Sequence, residues 1–149
     1  MSKIIFTNSE GIISVIHPIS GDANDAIKDV PSGFAYEIVD DSVIPTDRSF
    51  RGAWVGNGVG VSTATIVEDM TKAKEIHKAK IRTARVDKFA ALDVEFQKAL
   101  ETSADTSTIV AKKQALRDAP AASGIATAAS TSDLKAQWDT TNLGTSPYT

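Results

Sequence analysis

The sequence predicts an α+β fold: a small, mainly antiparallel β module at the N-terminus followed by a long-helix hairpin. Two observations carry that class. The first 55 residues hold short β-branched runs separated by turn residues, whereas residues 70–101 contain neither Gly nor Pro. Strands gathered at one end and helices at the other argue for segregated layers rather than alternating βαβ units.

At the N-terminus, Lys3 to Asn8 and Ile12 to His17 are strand-like runs joined by Ser9-Glu10-Gly11. A three-residue link ending in Gly suits a hairpin, and Pro18 closes the second strand because it cannot donate to a ladder. Asp22 to Val30 predicts one or two helical turns, stopped by Pro31-Ser32-Gly33. Phe34 to Val39 places Phe34, Tyr36 and Ile38 on one face at strand spacing. Phe50 to Val55 is the fourth candidate strand.

Four segments result: a β module over 1–55, a Gly-rich hinge over 56–68, a helical hairpin over 69–119, and a linker, short helix and polar tail over 120–149. Asp69 is placed to cap the long helix, which runs from Met70 to Glu101. Met70, Ala73, His77, Ile81 and Ala84 form one apolar stripe; Phe89, Leu92, Phe96 and Leu100 form a second, displaced around the helix by a five-residue step. Ser107 or Thr106 caps a second helix ending near Asp118, with Pro120 as the stop. Its Ile109 and Leu116 are expected to fold back onto Phe96 and Leu100. Ser130-Thr131-Ser132-Asp133 resembles a capping box before Leu134 and Trp138. Residues 142–149 read as a mobile tail.

Composition narrows the chemistry. The chain of 149 residues is 42% hydrophobic and 23% charged, which is globular rather than disordered. It contains no cysteine, which removes disulfides and thiolate catalysis. The N-terminal apolar run, Ile4-Ile5-Phe6, is too short for a signal peptide or a membrane span, so a protein made and kept in the cytoplasm is expected. The net charge of −3 divides unevenly: residues 1–71 carry ten acids and four bases, and residues 72–101 carry eight bases and five acids. Opposite fields of that kind attract each other or a second copy.

Catalytic and ligand constellations are weak. Only His17 and His77 offer an imidazole base, and neither lies near a nucleophile elbow. Asp40, Asp41 and Asp47 lack the spacing of a calcium loop. Gly56, Gly58 and Gly60 lack the Lys and the following helix of a phosphate loop. Seven bases between Lys72 and Lys88 could meet phosphates, but they scatter around the helix without interleaved aromatics, which disfavours nucleic acid. No catalytic residue, cofactor or metal is therefore expected. The chain reads as a non-enzymatic binding protein. Its candidate interface residues are Phe50, Arg51 and Trp54, an aromatic-plus-Arg group of the kind enriched in hot spots, then Phe89, Leu92, Phe96 and Leu100 on the helix, and Trp138.

One ordered set of motifs is familiar. Ile38-Val39-Asp40-Asp41, Pro45, Asp47-Arg48, Phe50-Arg51 and Ala53-Trp54 resemble a block of small tailed-bacteriophage proteins. Lys72-Ala73, Glu75-Ile76-His77, Ile81-Arg82, Leu92-Asp93, Lys113 to Pro120, Leu134-Lys135 and Trp138 continue it in the same order. Over residues 34–138 the chain is similar to tail-associated and tail-fibre assembly proteins, departing from them between Val55 and Val67. The resemblance implies a virion or tail structural protein acting through other phage structural proteins, in several copies. Its alternatives are a tail-fibre assembly chaperone and a basic-helix protein that touches nucleic acid.

Overall fold

The computed structural model describes residues 1–60 and 64–148. The fold is α+β, and it divides into two compact units, Met1–Ala73 and Lys74–Thr149.

In the first unit, β1 (Ser2–Thr7) is the centre of a three-stranded antiparallel sheet ordered β2-β1-β3, with β2 at Ile13–Ile16 and β3 at Tyr36–Asp40. Ile4 lies opposite Ile16 and Ile38, and Ile5 opposite Val15 and Glu37. Successive side chains point to opposite faces, so Ile4 and Ile5 seed two cores. Ile5, Ile13 and Val39 join Ile44, Trp54 and Ala64 on one face. Ile4 joins Ala23 and Ala26, both on the 3-10 helix Ala23–Asp29, on the other. Burial on both faces explains why β1 reads as a continuous apolar run instead of an alternating one.

Two sequence expectations change here. Phe50 is not in a strand: Arg51–Ala53 forms a 3-10 turn, and β4 begins at Trp54 and ends at Asn57. The Gly-rich segment is not simply a hinge, because β4 pairs antiparallel with β5 (Thr65–Glu68), Gly56 facing Ile66. Part of that predicted hinge, residues 61–63, lies outside the described residues. Gly56 is dictated by packing: a methyl group there would collide with Val59 Cγ2 and Ile13 Cδ1. Gly58 and Gly60 take positive φ values of 73° and 95°, as a reversal of the chain requires.

The helix α1 spans Met70–Glu101, as its sequence predicts. Asp69 Oδ1 accepts hydrogen bonds from the Thr71 and Lys72 amides at 2.9 and 3.2 Å. The helix α2 is Ser107–Asp118, with Thr106 at the N-cap position as expected; its side chain makes no capping bond, and Asp105 Oδ1 instead accepts from the Ser107 amide at 2.9 Å. Among the described residues, a 3-10 turn (Ala119–Ala121) and the short helices α3 (Ser123–Thr127), α4 (Thr131–Ala136) and α5 (Thr140–Leu143) follow. The capping box at Ser130 and Asp133 is formed.

Candidate functional site

The predicted interface residues separate into three groups. Phe50 and Trp54 are each 1% exposed and belong to the interior of the first unit, so they offer no surface; only the neighbouring Arg51 is exposed. Trp54 fills the space above Ile5 and Ile13 that a small sheet cannot fill with aliphatic side chains alone. Its Nε1 is buried without a hydrogen-bond partner among the described residues.

Trp138 is also buried, at 8% exposure. Its Nε1 donates to the Gly144 carbonyl at 3.0 Å. Its ring meets His77 edge-on at 6.1 Å and Tyr148 edge-on at 6.0 Å. The His77 and Tyr148 rings are parallel within 8°, and His77 Nδ1 lies 2.7 Å from the Tyr148 hydroxyl. Lys80 and Lys135 place their ammonium groups 4.3 and 5.7 Å from the Tyr148 ring centre. The segment read as a mobile tail is thus held: Leu143 is buried in α5, Asp139 caps that helix, and Tyr148 anchors the far end. Thr149 lies outside the described residues. The aromatic pair His77–Tyr148 was illegible in sequence because 71 residues separate its members.

Burial, first, and the Lys80 charge, second, hold the His77 pKa below the ordinary 6.5. Burial pushes the Tyr148 phenol up to about 12. Both groups are therefore neutral at pH 7. His77 has no exposed surface, so this imidazole acts as a packing and hydrogen-bonding group.

The third group lies on α1. Phe89, Leu92 and Phe96 are half-buried. The contacts that reach α2 are made largely by cations: Lys113 sits 4.6 Å above Phe96 and 2.6 Å from Asp93, Arg117 lies 5.9 Å from the Phe89 ring, and Arg85 donates to the Leu116 carbonyl at 3.2 Å. Leu116 is buried and borders a depression with Leu92. The expected cover of Leu100 is missing; it remains 57% exposed.

Sequence reading also missed a further strip on α1, more than a quarter-turn around the helix from both predicted stripes. At about 100° per residue, Ala79, Thr83, Val86, Ala90, Val94 and Gln97 share one face, and all six are exposed. Val86 is 61% and Val94 54% exposed. Apolar positions spread around several faces weaken the one-sided pattern by which amphipathic helices are recognised. The strip's signal was the 4-3-4-4-3 spacing from Ala79 to Gln97, obscured by its small residues.

The basic run is largely occupied within the chain. Lys72 donates to the Gly11 carbonyl at 3.1 Å, and Lys74 to the Ala126 carbonyl at 2.7 Å. Lys78 pairs with Glu75 at 2.8 Å. Among the described residues, no group of three or more His, Asp or Glu side chains is placed to hold a metal ion, and no helix is long and apolar enough to cross a membrane. No protein-family model, curated protein or solved structure matches the chain.

Proposed function

We propose that this chain is a non-enzymatic structural protein of a tailed-bacteriophage particle, in the tail or associated with it, acting through contacts with other phage structural proteins and present in several copies. One observation carries the protein-contact reading. Val86, Val94, Leu100 and Val110 are each about half exposed or more, all within the two longest helices of one unit. Exposed aliphatic side chains on two consecutive helices support a reading in which a protein partner covers them. The phage assignment rests on the ordered motifs between residues 34 and 138.

Quantitative mass spectrometry of purified particles tests the proposal. A structural component appears at fixed stoichiometry. Absence from mature particles, together with higher solubility of co-expressed fibre protein, would replace it with the assembly-chaperone reading. The occupied state of Lys72, Lys74, Lys78 and Arg85 weighs against a phosphate grip. Nucleic-acid binding that falls steeply with added salt would reverse that judgement.

A further inference from the structure

We infer that a basic depression between α1 and the segment after α2 docks a short acidic stretch of another protein, with Arg82 and Arg117 gripping its carboxylates. The inference rests on the protein-contact reading above and gives one of its partners a definite chemistry.

Four bases line this depression of about 450 Å³: Lys78, Arg82 and Arg85 from α1, and Arg117 from α2. Steps of four and three residues set the first three on one face of the helix. The rest of the lining, from the turn at Pro120 and from α3, is apolar.

The charges here do not balance. Among the described residues, Glu75 is the one carboxylate paired with any of the four, 2.8 Å from Lys78 Nζ and 4.0 Å from Arg82 Nη1. Arg85 donates to the Leu116 and Arg117 carbonyls at 3.2 and 3.3 Å, so the end of α2 fixes its guanidinium and offsets part of its charge. Arg117 donates to Gln114 Oε1, a neutral group, at 3.3 Å. Lys74 adds another cation on the same rim, bonded to the Ala126 carbonyl at 2.7 Å. Even with Asp118 counted beside Arg117, five bases stand against two acids. Lys78 and Arg85 are thus held by the chain itself, while the exposed Arg82 and Arg117 carry the uncancelled charge. Glu75 reports on the same surroundings. Lys78 first, then Arg82, holds its carboxyl below the usual range, so a carboxylate beside these bases is stabilised.

Size and chemistry select the occupant. Lys78 to Arg85 spans roughly 10 Å of helix axis, more than a single carboxylate covers. Alternate side chains of an extended peptide lie about 7 Å apart on one face, so two acids reach the depression together. Guanidinium groups take carboxylates in paired hydrogen bonds, and the apolar lining accepts an aliphatic side chain between the acids. A nucleic acid fits poorly. Among the described residues no aromatic side chain lines the depression, so bases have no stacking platform, and the cluster is short for a run of phosphates.

Fluorescence anisotropy of a rhodamine-labelled hexaglutamate peptide at low salt tests the site, with saturable binding expected. Arg82→Glu and Arg117→Glu together should weaken that binding on the order of tenfold. Lys98→Glu with Lys112→Glu makes the same change of net charge outside the depression and should alter it by less than about twofold. All four positions are exposed, and circular dichroism checks that each variant is folded. Absence of saturable binding, equal weakening by both pairs of substitutions, or tighter binding of a labelled hexathymidylate would each overturn the inference. So would self-association in sedimentation that the Arg82 and Arg117 reversal abolishes, since the occupant would then be a second copy. A chain recovered in particles that ignores hexaglutamate removes this site alone; hexaglutamate binding by a chain absent from particles removes the phage assignment alone.

Discussion

The two units of this chain solve the problem of a thin core differently. The first wraps both faces of one short sheet, using Ile4 and Ile5 to start two small cores and spending its large aromatics, Phe50 and Trp54, in its interior. The second hides only one side of its principal helix. Ile81, Leu116, Ile125, Leu134 and Leu143 are buried there, whereas Val86, Val94 and Leu100 face outward. Both units leave aliphatic side chains exposed, Ile19 and Val67 in the first and Val86, Val94, Leu100 and Val110 in the second. In the second they lie on its two longest helices, which is why the proposed contact is placed there.

The contrast can be broken most sharply in the first unit. Trp54→Ala should cost about 3–5 kcal/mol, because the indole fills the core and the small sheet around it has little else with which to collapse. Chemical denaturation followed by circular dichroism measures this; a loss below about 1 kcal/mol would mean that Trp54 is peripheral. Gly56→Ala should cost about 1–3 kcal/mol, since the new methyl group meets fully buried Ile13. A neutral result in the same assay would restore the hinge reading of residues 56–68.

The C-terminal segment offers a pH test. His77 has a folded pKa below its ordinary 6.5, so the folded state disfavours the imidazolium. The contribution from this group is complete above pH 6.5 and declines as pH falls below it. Amide exchange over residues 138–148 should therefore quicken between about pH 7 and pH 5, after correction for intrinsic rates. In His77→Gln that pH dependence should vanish. The smallest effect belongs to the outward strip: Val86→Glu, at an exposed site, should change stability by less than about 0.5 kcal/mol. A large loss would show that the strip is core after all.

How much of each feature could be read in the sequence depends on the range of the interactions that build it. Local signals were legible: Asp69 as a cap, the ends of α1, the Ser130 capping box, and the alternation through Tyr36 and Ile38. Features built by distant residues were not. Trp54 and Phe50 carried the composition of a hot spot, yet which face of a sheet is covered depends on β4, β5 and the chain after β3. Trp138 gave no sign of its partner, because Tyr148 lies in a segment rich in Gly, Ser and Thr. The strip through Val86 and Val94 was masked because two stripes of larger side chains already occupy α1 and this one is interrupted by Ala79, Thr83, Ala90 and Gln97.

Hydrogen exchange of the folded chain, free and within purified particles, tests the central claim, that the outward side of α1 is where this protein meets its neighbours. Amides from Ala79 to Lys98 should gain protection in the particle, while those of β1, β2 and β3 stay unchanged. Equal protection along α1 in both states, or protection that rises in the sheet instead, would contradict the account.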